Sequence, residues 1–262
     1  MSDPAFGRAV SALVDETLAR AGEVVPGPRG MVAVLDARWP DSHDNNKVVV
    51  TGAVDAADLL EFAESALAGV AHRQVLMLSG GSEVADAARA AGYTVSTLLV
   101  MALDRSRTVA PPDPAIDVRT ADEATTRSFA RTAWRVENPQ MPSATVEQLV
   151  SRRDAYVAPV VSYLAYVDGV AAAHADLRQW LGLAEVDMVL TLPEYRNRGL
   201  ARSLVLHAIA RAHRDGADLV FLLADADDWP RLLYRRLGFE TVGTIHELHR
   251  GKTMTSGEDH ER

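Results

Sequence analysis

The chain of 262 residues contains no cysteine. Disulfides, thiolate zinc sites, iron–sulfur clusters and cysteine nucleophiles are excluded together, and the expected setting is a reducing cytoplasm. An excess of positive charge is missing as well: 27 Lys and Arg stand against 36 Asp and Glu, a formal net charge of −9. Affinity for nucleic acid comes largely from neutralising phosphates, so no nucleic-acid partner is expected. Long apolar runs are also lacking. The longest weakly polar stretch, residues 156–167, is interrupted by Pro159 and falls short of the roughly 20 residues of a spanning helix. The first residues carry acids and lack the basic-then-apolar order of a secretory leader, so neither membrane nor export is expected. Gly-x-Gly-x-x-Gly, Gly-x-Ser-x-Gly and His-Glu-x-x-His are absent, and Gly251-Lys252-Thr253 has His246 where a phosphate loop needs its first glycine.

What is present is ordinary globular material. Apolar residues make up 48% and charged residues 24% of the chain, enough for one large domain or two small ones. Apolar spacing predicts a helix over residues 4–21, then a loop through Pro26, Gly27, Pro28 and Gly30, with extended runs at 31–35 and 47–50. Helix and strand then alternate: helical 56–67, extended 74–79, helical 83–91, extended 94–103. Such alternation indicates an α/β sheet. Residues 106–114 (SRTVAPPDP) hold three prolines and little that can pack, so they are expected to link a domain at 1–105 to another at 115–250. In the second half, strands are expected at 116–119, 160–167, 170–177, 185–192, 219–224 and 241–249. Helices are expected at 121–136, 145–153, 199–215 and 229–237, and a polar, disordered tail at 251–262. A faint repeat accompanies this order. Residues 74–79, a helix, Gly92-Tyr93 and a strand parallel residues 219–224, a helix, Gly238-Phe239 and a strand, offset by roughly 145 residues.

Residues 189–201, VLTLPEYRNRGLA, carry the chemistry. An apolar strand stops at Pro193 and a helix starts near Gly199, with a basic, glycine-containing turn between them. Main-chain N–H groups in that turn and the positive end of the helix make an anion site, suited to a diphosphate. Arg196, Arg198 and Arg202 add fork-shaped donors, and Gly199 and Ala201 keep the approach to the backbone clear.

Arg196-x-x-Gly199-x-Ala201 after a strand, followed about 35 residues on by Leu233-Tyr234-Arg-Arg-Leu-Gly238-Phe239, resembles the GNAT superfamily of acyl-coenzyme A-dependent N-acyltransferases. The resemblance covers roughly residues 115–250. The amino-terminal part resembles the same family only as a degenerate copy, with no matching motif in the corresponding turn at residues 51–57. The fold implied is a mixed central sheet with flanking helices, in two tandem GNAT-like domains. The activity implied is transfer of an acetyl group from acetyl-coenzyme A, as co-substrate, to a primary amine by direct attack in a ternary complex. The acceptor would be an amine-bearing small molecule or a protein amine, and no metal takes part.

The resemblance also implies roles for residues. Main-chain amides of Arg196, Asn197, Arg198, Gly199, Leu200 and Ala201 would hold the diphosphate. The preceding strand would splay from its neighbour, so that main-chain groups of Val189, Leu190 and Thr191 pair with the pantetheine amides. Asp227 stands where the family often has an asparagine beside the pantetheine arm, and a carboxylate cannot donate as an amide does. Tyr234 matches the tyrosine that protonates the leaving thiolate. Glu185, eleven residues before Arg196, is the first candidate base, its bland reading being a solvated carboxylate at a strand edge. Asp187 shares its face. His174 is a further candidate that reads more simply as packed. Asp225, Asp227 and Asp228 read as helix-start acids, and the Asx-rich run at 41–46 as turns. The alternative from another class is a non-catalytic acyl-coenzyme A-binding sensor.

Overall fold

The computed structural model describes residues 3–251. The expected tail at 251–262 therefore lies, Gly251 apart, outside the described residues. Along the chain the elements are α1 (Pro4–Ala19), β1 (Glu23–Pro26), β2 (Met31–Leu35), β3 (Lys47–Val50), α2 (Ala56–Ala66), β4 (Arg73–Met77), α3 (Gly81–Ala90) and β5 (Thr94–Asp104). Then come β6 (Asp117–Ala121), α4 (Glu123–Glu137), α5 (Ser143–Ser151), β7 (Val160–Val167), β8 (Val170–Trp180) and β9 (Leu183–Thr191). The last are α6 (Leu200–Arg214), β10 (Leu219–Asp225), α7 (Pro230–Arg236) and β11 (Glu240–Arg250). One strand departs from expectation. Glu23–Pro26 read as loop but pairs antiparallel with β2, Val24 opposite Val34. It is an edge strand with three of its four residues exposed, so it carries no apolar alternation, and its proline stands at the strand end where no ladder donor is needed.

The chain divides into two compact units that are interleaved in sequence. The first takes residues 3–9, Leu99–Val136 and Ala158–Gly243, and the second takes Val10–Leu98, Glu137–Val157 and residues 244–251. The proline-rich stretch 106–114 lies inside the first unit.

In the second unit the strands run β1-β2-β3-β4-β11. β2 is antiparallel to β3, β3 is parallel to β4 (Val48 opposite Val75), and β11 is antiparallel to β4 (Leu248 opposite Val75). Leu59 and Ala63 of α2 and Leu67 just after it, four residues apart, pack with Val48, Val75 and Leu248 into its core. In the first unit the order is β5-β10-β9-β8-β7-β6. Here β7, β8 and β9 are antiparallel in succession and β9 is parallel to β10. Ala172, Ala173 and Ala175 give β8 little side-chain bulk, and α6 packs on it through Leu200, Leu204, Ala208 and Ala212.

The two units repeat one plan, three strands antiparallel in succession and then a parallel one, β1-β2-β3-β4 and β7-β8-β9-β10. The fifth position is filled in each by the strand that closes the other copy: β11, which follows α7, lies beside β4, and β5, which follows α3, lies beside β10. No helix among the described residues is long and apolar enough to cross a membrane.

Candidate active site

β9 and β10 pair in parallel over only three residues, Leu183, Ala184 and Glu185 opposite Leu219, Val220 and Phe221. Both strands continue, β9 to Thr191 and β10 to Asp225, but they part. On its other side β9 stays paired with β8 as far as Thr191, opposite Ala173. The parting coincides with an irregularity: the β8–β9 register shifts between His174 and Asp176, and Met188 has φ 52, in the left-handed region. A bulge of this kind bends a strand and raises its twist. Beyond it the edge of β9 that includes Val189, Leu190 and Thr191 has no strand partner on the β10 side, and these residues are half-buried.

The chain then turns at Leu192, whose N–H donates to Ala172 O at 2.9 Å, and enters α6 through Asn197 (φ 63) and Gly199 (φ 78). Among the described residues no side chain caps the start of α6, whose N-cap is Gly199. Its first amides, which lack intrahelical acceptors, are left for water or an anion. A Cβ on Gly199 would meet nothing nearer than Ile116 Cδ1 at 3.6 Å, so within the protein it is the positive φ that asks for glycine. Arg196 Nε donates to Thr191 O at 3.2 Å, and the Arg198 guanidinium lies 5.5 Å from the Tyr195 ring centre. The corresponding helix of the second unit, α2, differs. Asp55 caps it and accepts from the N–H groups of Ala57, at 2.8 Å, and Asp58. A carboxylate of the protein itself occupies the anion position there.

Tyr234, on α7, is buried, with its ring edge-on to Phe239 at 6.2 Å between centres. Its hydroxyl makes no hydrogen bond among the described residues. Burial, helped by the nearby charges of Asp187 and Asp228, pushes its pKa up to about 12. The phenol therefore holds its proton at any ordinary pH. At the start of the helix Asp225 Oδ1 accepts from Asp227 N at 2.7 Å and Asp228 Oδ1 from Trp229 N at 2.6 Å, so these two acids fix the turn while Asp227 is exposed.

A line of polar groups crosses the sheet beside the bulge. His174, Asp176 and Arg178 alternate along one face of β8, and Glu185 and Asp187 face them from β9, with Arg178 opposite Glu185 and Asp176 opposite Asp187. Arg178 Nη2 lies 2.9 Å from both Glu185 Oε2 and Asp187 Oδ2. Glu185 is no solvated edge carboxylate: its side chain is 2% exposed, against 34% for Asp187. Asp187 Oδ1 also accepts from Met188 N at 2.7 Å. His174 is buried, its Nδ1 3.2 Å from Met188 O and its Nε2 3.1 Å from Asp176 Oδ1. Asp176, Arg178 and Met188 were not singled out from sequence. The polar residues at 174, 176 and 178 with period 2 on a strand otherwise rich in alanine were the available signal.

One unit thus holds the open edge of β9, the start of α6, Tyr234 and the Glu185–Asp187 pair, and the Asp187 charge acts on Tyr234. Among the described residues no group of three or more His, Asp or Glu side chains is arranged to hold a metal.

A family model described as the acetyltransferase (GNAT) family matches residues 125–239. No curated protein sequence matches the chain. Among solved structures the fold is similar to a GCN5-related N-acetyltransferase from Kribbella flavida, with 22% identity, 95% of this chain and 96% of that one covered, and a TM-score of 0.65. It is similar to a functionally unknown conserved protein from Staphylococcus epidermidis, with 14% identity, coverage of 88% and 94%, and a TM-score of 0.68. A tandem GNAT protein from the clavulanic acid biosynthesis pathway aligns at 14% identity over 89% of this chain and 86% of that one, with a TM-score of 0.55.

Proposed function

From the match of residues 125–239 to the acetyltransferase (GNAT) family model, we propose that the chain transfers an acetyl group from acetyl-coenzyme A to a primary amine, by direct attack in a ternary complex. The observation that carries this reading is the parting of β9 from β10 beside a helix start that no side chain among the described residues caps. The co-substrate supplies an activated thioester, and the residues present suit it. Amides of Arg196, Asn197, Arg198, Gly199, Leu200 and Ala201 would take its diphosphate, as helix starts take anions. Val189, Leu190 and Thr191 would pair with its amide-bearing arm in the manner of an added strand. The Thr191 carbonyl already accepts from Arg196, so the remaining main-chain groups carry more of that pairing.

Two proton movements remain for side chains. Tyr234 serves as the acid: its proton is firmly held, and its hydroxyl is not spent on another group among the described residues. The incoming amine must lose a proton, and the Glu185–Asp187 pair is the acceptor. Asp187 is the member that water reaches, while Glu185 stands behind it through the shared Arg178. Without cysteine no acyl-thiol intermediate on the protein is open, in keeping with direct transfer. The acceptor belongs to the amines, of a small molecule or of a protein.

The test is thiol release at fixed acetyl-coenzyme A across amine classes: polyamines, amino acids, aminoglycosides and peptide amines. Release that saturates with one class supports transfer. Saturable binding of the co-substrate with no release for any class would instead favour an acyl-coenzyme A sensor.

A further inference from the structure

Met188 is held in left-handed backbone, which a non-glycine residue adopts only when its surroundings impose it. Two hydrogen-bonding groups bear on it. Asp187 Oδ1 accepts from the Met188 N–H at 2.7 Å, and the His174 ring faces the Met188 carbonyl, Nδ1 to O, at 3.2 Å. A carbonyl oxygen only accepts, so Nδ1 carries a proton and donates it. The Ser162 hydroxyl donates to Asp176 Oδ1, beside the ring, at 2.7 Å, while the ring's Nε2 makes no hydrogen bond among the described residues. The Phe129 ring flanks the imidazole at 5.8 Å between centres. All four side chains are buried, so the ring cannot swing away without stranding polar groups from water.

Position gives this arrangement its meaning. The last β9 residue paired with β10 is Glu185, and the kinked residue follows three positions later. We infer that His174 is a positioning residue: by gripping the Met188 carbonyl it holds the kink that keeps β9 parted from β10, and so keeps the gap between them open for the pantetheine arm. This rests on the acyl-transfer reading and assigns His174 a part other than that of a base. Its Nδ1 is committed to a backbone carbonyl, and the ring is 4% exposed. With the bond from the ring lost, β9 is expected to relax toward a regular ladder that closes on its parallel neighbour.

Two variants of the full-length protein test this. His174→Phe keeps a ring against Phe129 but loses the bond, whereas His174→Asn sets an amide N–H near the place of Nδ1. Calorimetric titrations use coenzyme A and its fragment lacking the pantetheine arm, adenosine 3′-phosphate 5′-diphosphate. In His174→Phe, coenzyme A is expected to bind about tenfold or more weakly and the fragment within about threefold of wild type, with His174→Asn restoring coenzyme A. Equal weakening of both ligands, undiminished coenzyme A binding, or no recovery in His174→Asn overturns the assignment. Titration of the wild type judges the acyl-transfer reading separately, since absence of coenzyme A binding there sinks that reading alone. The clamp then stands or falls on a crystal structure of His174→Phe: Met188 moving to negative φ supports it, and Met188 keeping its positive φ defeats it.

Discussion

Arg178 holds Glu185 across the β8–β9 ladder, Nη2 to Oε2 at 2.9 Å, with both side chains at least nine-tenths buried. The same nitrogen reaches Asp187. Removing the cation strands buried negative charge, which costs more than the pair contributes when intact. Arg178→Met is therefore expected to lose about 3–5 kcal/mol of stability. Urea unfolding of the full chain measures it, and a loss under about 1 kcal/mol contradicts the burial described.

Tyr234→Phe removes the acid and leaves the ring against Phe239. Thiol release is expected to fall roughly 10²–10⁴-fold, with coenzyme A affinity little changed. Because the phenol titrates at about 12, its proton is present below that pH and lost only above it. A rate-against-pH profile should therefore show no alkaline fall attributable to Tyr234 between about pH 8 and 10. Unchanged turnover in Tyr234→Phe removes the tyrosine from the mechanism.

Gly199 has φ 78, and a Cβ there would make only ordinary contact with Ile116 Cδ1, at 3.6 Å. Gly199→Ala should fold and cost about 1–2 kcal/mol through backbone strain. Gly199→Glu places a carboxylate at the anion position and is expected to abolish coenzyme A binding, read by calorimetry beside the thermal midpoint.

The second unit already carries a carboxylate, Asp55, on the amides at the start of α2. Coenzyme A should accordingly titrate at one molecule per chain. Asp55→Ala is expected to cost about 0.5–2 kcal/mol for the lost cap, without a second binding event. A stoichiometry of two in the wild type would show that the cap does not close that position.

Three imidazoles of the second unit cluster with their rings tilted, His43 lying 4.2 Å from His72 and 4.6 Å from His249 between ring centres. Burial first, and then the neighbouring imidazoles, lowers the pKa of His43 from 6.5 to about 3, while burial lowers that of His72. The unfolded chain takes up these protons more readily, so stability is full above pH 6.5 and declines as pH falls from there toward 3. Within that window each pH unit costs up to about 1.4 kcal/mol through His43. Thermal midpoints from pH 7.5 to 4.5 should fall less steeply in His43→Gln than in the wild type, and equal slopes refute this.

Local pattern was enough for much of this. Leu200, Leu204, Ala208 and Ala212 recur at helical spacing along α6, and the valines of β3 form a short apolar run, so both elements were legible from residue order. The Arg196-x-x-Gly199-x-Ala201 turn was legible for the same reason, since a strand end, a turn and a helix start are neighbours in the chain. β1 was missed because an exposed edge strand has no apolar face to display.

Residue order by itself therefore fixed the helices, most strands, the basic turn and the resemblance to the family whose model matches residues 125–239, because each depends on side chains a few positions apart. Tertiary structure decided which strand lies beside which, and this is why β11 joins β4 and β5 joins β10. It also decided that Glu185 is buried against Arg178, that Met188 is kinked, and that His174 meets its carbonyl. Those relations are set by register between separate strands, where a shift of one residue reverses every side chain, and no window along one strand contains the other.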